Sequence, residues 1–179
     1  MLRFGIVIVA ASLAAPALAA DFTPPLLPAA KGKVQCYSPD PVKKTCKSTV
    51  GYRMTSDGGI ESISTTVVSN PPLTIMETIA EVEIRDGKVC GAVNEHDILA
   101  ANFSAEGRGI ELKQAQTMAH QALQASKSLL GRFLCTAFGM DGDVYKAKVA
   151  IDGAARPDMD QPVAWIALDD GYKMAPPAQ

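Results

Sequence analysis

The sequence has no strong net charge and, after its N-terminal segment, no hydrophobic stretch long enough to cross a membrane. Its formal charge is −2 at pH 7, and loss of Arg3 with the N-terminal segment would change this only to −3. Such a charge gives no electrostatic reason to expect binding to nucleic acid or to an anionic membrane surface. A membrane-spanning helix needs about 20 consecutive apolar residues. We therefore expect neither a nucleic-acid partner nor a membrane span in the mature chain.

Common catalytic and cofactor-binding motifs are also missing. The chain contains no Gly-x-Ser-x-Gly, no Ser-x-x-Lys and no phosphate-binding loop, which are the usual signatures of nucleophilic hydrolases and nucleotide-binding proteins. No Cys-x-x-Cys occurs, so a zinc or redox site of that type is not expected. A catalytic triad can still form from scattered residues. We predict no catalytic, cofactor-binding or metal-binding residues, and we favour a protein that is not an enzyme.

The histidines and the clustered acidic residues have simpler explanations than metal binding. Glu95, His96 and Asp97 are consecutive, and with Asn94 as a cap they fit the polar start of a helix. His120 has no His or Glu four residues away with which to form a metal-binding pair. Three acidic pairs are potential calcium ligands, but their spacing departs from that of an EF-hand, and turns explain them more plainly. These pairs are Asp141 with Asp143, Asp158 with Asp160, and Asp169 with Asp170.

The N-terminal 20 residues have the pattern of a secretory signal. Arg3 precedes the apolar run 4–13, and the small residues 17–20 form an Ala-x-Ala cleavage site. The apolar run is too short to span a membrane of about 30 Å comfortably. We predict a signal peptide at 1–20, cleavage after residue 19 or 20, and a periplasmic or secreted protein.

The rest of the chain is long enough for one domain with its own core. Residues 21–33 carry three prolines and few periodic apolar positions, which predicts an extended arm. Residues 174–179 have a similar composition and predict a flexible tail. The single domain is therefore expected at 34–173.

All four cysteines follow the predicted signal, at Cys36, Cys46, Cys90 and Cys135. An even number of cysteines in an oxidising compartment predicts two disulfides, with three possible connectivities. Sequence order favours Cys36 with Cys46, across a short loop, and Cys90 with Cys135. The second bond would tie the end of a long helix to a strand.

The segment 110–135 has the longest helical periodicity in the chain. Its apolar residues recur at steps of three and four, which predicts one long amphipathic helix. Most helical stability in proteins comes from packing the apolar face, so we expect a sheet to cover it. The apolar face consists of Ala115, Met118, Ala119, Ala122, Leu123, Leu129, Leu130 and Phe133.

Alternating stretches on both sides of that helix predict the sheet. Residues 50–54, 60–68, 76–84 and 89–93 fit a four-stranded antiparallel meander, and two or three further strands follow the helix. The predicted fold is α+β: a curved antiparallel sheet of about six strands, a meander followed by a hairpin, packed on one long α-helix. Asp-Gly pairs suit tight hairpin turns. They begin at Asp57, Asp86, Asp141, Asp152 and Asp170.

Two classes of function remain. The favoured one is an exported, disulfide-stabilised binding or interaction module, whose partner is an unknown protein or a small apolar ligand. Small residues such as Ala115 and Ala119, beside bulky Met118 and Phe133, could leave a groove for a guest against the helix, although close packing is the simpler interpretation.

The alternative is a small periplasmic hydrolase or isomerase that uses carboxylates. Glu77, Glu81 and Glu83 alternate along one predicted strand, and the acidic turns offer further candidates. Two carboxylates can divide acid and base roles only if their surroundings separate their pKa values, which requires a cleft. Glutamates on an exposed strand face would not meet that condition.

Overall fold

The structure is a computed structural model that describes residues 22–176. It is mostly β, with 48% of residues in strands and 16% in helices. Within the described residues, the main feature is a closed antiparallel β-barrel of eight strands, accompanied by two short α-helices. The predicted α+β fold, a curved sheet packed on one long helix, is therefore wrong.

The strands and helices follow one another from residue 29 to residue 174. The described strands are β1 (Val34–Tyr37), β2 (Thr45–Cys46), β3 (Ser48–Met54), β4 (Ile60–Ser69), β5 (Thr74–Arg85), β6 (Lys88–Ala92), β7 (Asn102–Ala105), β8 (Arg108–Gly109), β9 (Phe133–Asp141), β10 (Val144–Ile151), β11 (Ala154–Ala155), β12 (Gln161–Ile166) and β13 (Lys173–Met174). The α-helices are α1 (Glu95–Leu99) and α2 (Leu112–Ala125), and short 3₁₀ helices cover Ala29–Lys31 and Pro157–Met159.

Eight of these strands form a continuous ring in the order β1, β12, β10, β9, β6, β5, β4 and β3. The ring closes because β1 pairs with β3 on one side and with β12 on the other, so that Gln35 lies opposite both Val50 and Trp165. All pairings in the ring are antiparallel. Closure removes the free edges that an open sheet would expose to other chains.

The predicted four-stranded meander is present as β3 to β6, in which each strand pairs with the next. Asp86–Gly87 connects β5 to β6 with φ angles of 51° and 70°. Asp152–Gly153 connects β10 to β11 in the same way, with φ angles of 50° and 82°. Both turns have the two positive φ angles that tight hairpins of this type require, and Asp-Gly adopts them readily. Glu106–Gly107 forms a third such turn, between β7 and β8, that the sequence analysis did not identify as a hairpin.

The predicted long helix is wrong in both its length and its packing. α2 ends at Ala125, and the chain turns through Gly131, whose φ is 71°, before β9 begins at Phe133. α2 packs mainly against α1 and does not lie across the barrel. Ala119 and Leu123 are its buried residues. The helical periodicity therefore held for 14 residues, and its continuation to Phe133 was coincidental.

Side chains alternate between the inside and the outside of the barrel along each strand. On β10, Ala147, Val149 and Ile151 are buried, whereas Lys148 between them is exposed. The charged side chains of β5 point outward, as the alternating pattern predicted. The inward set of side chains forms the wall of the barrel interior.

Both disulfides join strands. Cys36 is bonded to Cys46, and Cys90 is bonded to Cys135, which are the two pairs that sequence order favours. Cys90 on β6 lies directly opposite Cys135 on β9, so this bond reinforces the junction between two distant parts of the chain. The expectation that it ties a helix to a strand is wrong, since Cys135 lies in β9.

The two ends of the chain extend beyond the described residues. The predicted signal peptide, 1–20, lies outside them, and so do residues 177–179 of the predicted tail. In the predicted arm, 21–33, Leu26 is fully buried and three residues form a 3₁₀ helix. The domain boundaries remain predictions. Neither α-helix in residues 22–176 has the length and apolar character of a helix that crosses a membrane.

Replacing both cysteines of one disulfide by serine should destabilise the barrel, and more so for the longer loop. The separations are 10 residues for Cys36–Cys46 and 45 for Cys90–Cys135. Loop-closure entropy gives about 3 kcal/mol for the first bond and about 4 kcal/mol for the second. We expect urea unfolding to show a smaller loss in the free energy of unfolding for C36S/C46S than for C90S/C135S. An unchanged free energy of unfolding in C90S/C135S would contradict the role of that bond in holding β6 to β9.

Candidate functional site

A cavity of about 280 Å³ lies in the barrel interior and is partly open to solvent. Its wall is formed by residues of β1, β3, β4, β5, β6 and β9. Where β6 ends at Ala92, the chain continues into α1, and Ile98 and Asp97 of that helix complete the wall. The cavity therefore depends on barrel closure and on the short helix that follows β6.

The cavity wall is mainly apolar, with hydroxyl groups distributed over several strands. Its apolar side chains are Val50, Ala80, Val82, Val89, Ala92, Val93, Ile98, Leu134 and Phe138. Its hydroxyl-bearing side chains are Tyr37, Tyr52, Ser62, Ser64, Thr78 and Thr136. An apolar concavity with a few converging polar groups is typical of a site for a small organic ligand.

The cavity contains little charge. Among the described residues that line it, no lysine, arginine or histidine is present, and Asp97 and Glu81 are the carboxylates. The carboxylate of Asp97 accepts a hydrogen bond from Asn94 Nδ2 at 3.1 Å. Glu81 is exposed and belongs to the outward set of β5. The wall thus offers no cation with which to pair a buried anionic group.

Three polar side chains form a small network at this wall. Tyr37 Oη donates to Gln35 Oε1 at 3.0 Å, and Tyr52 Oη donates to the same oxygen at 2.9 Å. Tyr52 also packs against Trp165, with 6.3 Å between the ring centroids. These contacts hold two phenol groups close together at the edge of the cavity.

Both phenols remain protonated in the folded protein at neutral pH. Burial raises the pKa of Tyr37, and nearby Tyr145 raises it further. Burial also raises the pKa of Tyr52 well above its usual value, with a smaller contribution from Tyr37. The two groups can therefore donate hydrogen bonds, but they are poorly suited to act as bases.

The amide of Gln35 is fully buried, and its nitrogen has no hydrogen-bond partner among residues 22–176. Buried N–H groups are almost always paired, because leaving one unpaired costs roughly 1–3 kcal/mol. The unpaired side-chain nitrogen of Gln35 is therefore unusual, and it lies beside the cavity.

A second concavity, the outer groove, lies outside the barrel between its wall and the C-terminal segment. It measures about 370 Å³ and is partly open to solvent, as the barrel cavity is. Val34, Ile63, Ile166, Leu168, Tyr172 and Met174 are among its lining residues. Because the outer groove is also apolar, variants in it can serve as controls for binding in the barrel interior.

The two histidines were considered as metal ligands, together with their acidic neighbours. His96 and His120 are both exposed. Within residues 22–176, no group of three or more His, Cys, Asp or Glu side chains is arranged to hold a metal ion. Neither close packing of a long helix on a sheet nor a groove between them is present in the described part of the chain, because α2 packs mainly on α1.

The acidic turn residues have structural partners. Asp141 accepts a hydrogen bond from Lys146 at 2.7 Å, and this bond lowers the pKa of Asp141. Asp158 is paired with Arg156, which likewise lowers its pKa. Asp160 accepts a hydrogen bond from the backbone N–H of Val149 at 2.8 Å. These contacts give Asp141, Asp158 and Asp160 structural roles beside turns.

The polar network was not predicted. Val50 and Tyr52 fall in the predicted strand 50–54, but β1, which has only four residues, was not predicted. Gln35 and Tyr37 therefore remained outside any predicted element. The alternation of Gln35 and Tyr37 with Val34 and Cys36 was the available signal, and it was too short to decide between strand and loop.

Comparisons of the chain with protein-family models, with curated proteins and with solved structures found no match.

The two buried phenols should resist ionisation by base. A tyrosine whose pKa is raised by folding keeps its proton while the unfolded chain loses it, so the protein should lose stability as the pH rises above about 10. We expect the phenolate absorbance of the native protein at about pH 11 to fall short of that of the unfolded chain. Tyr37→Phe and Tyr52→Phe should each reduce the difference. Full ionisation of all tyrosines in a still-folded protein would contradict the burial of these phenols.

Proposed function

We propose that this protein binds a small, uncharged and mainly apolar molecule inside its barrel. The cavity of about 280 Å³, with its apolar wall and few hydroxyl groups, is the observation that supports this most strongly. Closed barrels of eight strands have an interior that side chains either fill or leave open for one small ligand. Here short side chains such as Ala80, Ser62 and Ser64 leave space next to larger ones.

The charge of the cavity favours a neutral ligand. Burying an ion without a partner is strongly unfavourable. The described wall has no cationic side chain, and its Asp97 is already bonded to Asn94. An apolar molecule with one polar group therefore fits the wall better than an anion.

We place this activity outside the cytosol, in the periplasm or among secreted proteins. The two disulfides support an oxidising compartment, and the predicted signal at 1–20 gives a route to it. In this proposal the protein is a binding module and not an enzyme. Glu77 and Glu83 do not line the cavity, and Glu81 lines it with an exposed side chain, so these glutamates give little support to the carboxylate hydrolase or isomerase.

A neutral fluorescent probe, N-phenyl-1-naphthylamine, tests the proposal. Ala80 lies on the cavity wall, whereas its neighbour Ile79 is on the outer face with 37% of its surface exposed. The phenyl ring of Ala80→Phe should occupy part of the cavity. We expect it to weaken probe binding at least about tenfold, because the ring and the probe would compete for the same space and overpacking is unfavourable. Ile79→Phe adds an aromatic ring outside and should leave probe binding unchanged.

Three measurements make the outcome decisive. Circular dichroism and thermal unfolding should show that both variants remain folded. Probe fluorescence should then be titrated against the native protein, Ala80→Phe and Ile79→Phe. Absence of binding to the native protein would refute the proposal, and so would equal binding by Ala80→Phe, which would place the probe elsewhere, for example in the outer groove.

A further inference from the structure

The buried amide of Gln35 and the two phenols beside it contain more hydrogen-bond donors than the protein satisfies. The amide has two N–H donors, and each phenol has one O–H donor. Only two hydrogen bonds join the three groups, both to Gln35 Oε1. Both N–H donors of the amide are therefore unpaired within the described residues, and Gln35 is fully enclosed.

A half-turn of the amide about its last side-chain torsion resolves most of this imbalance. The turn exchanges the nitrogen and the oxygen while the planar group keeps almost the same shape. Its NH₂ group can then donate to the oxygens of Tyr37 and Tyr52, which now lie about 3 Å from Oε1. The amide oxygen is left without a partner, and an unpaired buried carbonyl is better tolerated than an unpaired N–H.

This rotation changes what the cavity offers to a ligand. Tyr37 and Tyr52 line the cavity, whereas Gln35 lies behind them. When the phenol oxygens accept hydrogen bonds from Gln35, their own O–H groups become free to point into the cavity. After the rotation, the wall presents two neutral donors. They lie close together, because in the unrotated state both phenols donate to the same atom, Gln35 Oε1.

We infer that the ligand carries an uncharged carbonyl group, whose oxygen accepts a hydrogen bond from Tyr37, from Tyr52 or from both. This inference rests on the proposed function and specifies the chemical class of the ligand: a ketone, ester or amide on an apolar body. Gln35 is the positioning residue that orients the two donors.

Other polar groups fit this arrangement less well. A ligand that only donates hydrogen bonds would pair with the phenol oxygens in the unrotated state, and both N–H groups of Gln35 would stay unpaired. A carboxylate would accept the phenol hydrogens, but the described wall offers no cation to offset its charge. A neutral carbonyl satisfies the donors without adding a buried charge.

Two naphthalenes of nearly equal shape test the inference. 2-Acetylnaphthalene carries a C=O group, and 2-isopropenylnaphthalene carries a C=CH₂ group in the same position. One neutral hydrogen bond corresponds to a preference of about five- to tenfold for the ketone. Affinities can be measured by displacement of N-phenyl-1-naphthylamine, or by calorimetry for each compound directly.

Single phenol variants identify the donors. At least one of Tyr52→Phe and Tyr37→Phe should reduce the ketone preference towards unity, while the affinity for 2-isopropenylnaphthalene stays within about twofold. Tyr172→Phe is the matched control, because Tyr172 lies in the outer groove. It should keep the full preference. Two phenol variants are included so that one misfolded protein does not end the test.

Infrared spectroscopy provides a readout that a merely structural tyrosine would not change. The C=O stretch of bound 2-acetylnaphthalene should lie below its value in cyclohexane, and the shift should shrink in at least one phenol variant. Equal affinities for the two naphthalenes, with an unshifted stretch, would overturn the carbonyl inference and leave apolar binding in the barrel intact. Failure of both compounds and of the probe to bind would overturn the inference together with the proposed function.

Discussion

Pairing of β1 with two distant strands is the interaction on which the structure depends. β1 joins β3, which follows it closely in the chain, to β12, which lies more than a hundred residues later. Without it, β3 and β12 would become free edges of an open sheet. The same four residues also supply Gln35 and Tyr37 to the polar network. The same strand therefore closes the barrel and contributes residues to the candidate site.

Local parts of the fold could be predicted from the sequence. The meander β3 to β6 follows from alternating apolar residues, and the turns at Asp86 and Asp152 follow from the ease with which Asp-Gly adopts positive φ angles. Both signals lie within a few residues of the structure they specify. The two cysteine pairs followed from their order in the chain and from the predicted oxidising compartment.

Features that depend on distant residues could not be predicted in this way. Leu129, Leu130 and Phe133 fitted helical spacing by chance, and the positive φ at Gly131 shows that the helical pattern had already ended. Barrel closure could not be predicted from any short stretch of sequence, because β1 and β12, which pair with each other, lie near opposite ends of the domain. The inward face of β4 carries Ser62 and Ser64, so it did not resemble a core face.

Nuclear Overhauser contacts of β1 test barrel closure most directly. Gln35 lies opposite Val50 on β3 and opposite Trp165 on β12. The closed barrel predicts cross-strand contacts from Gln35 to both residues, together with slow amide hydrogen exchange throughout β1 and β12. Contacts to Val50 alone, with amides of β12 exchanging as rapidly as those of an exposed edge strand, would show an open sheet and contradict the closed barrel.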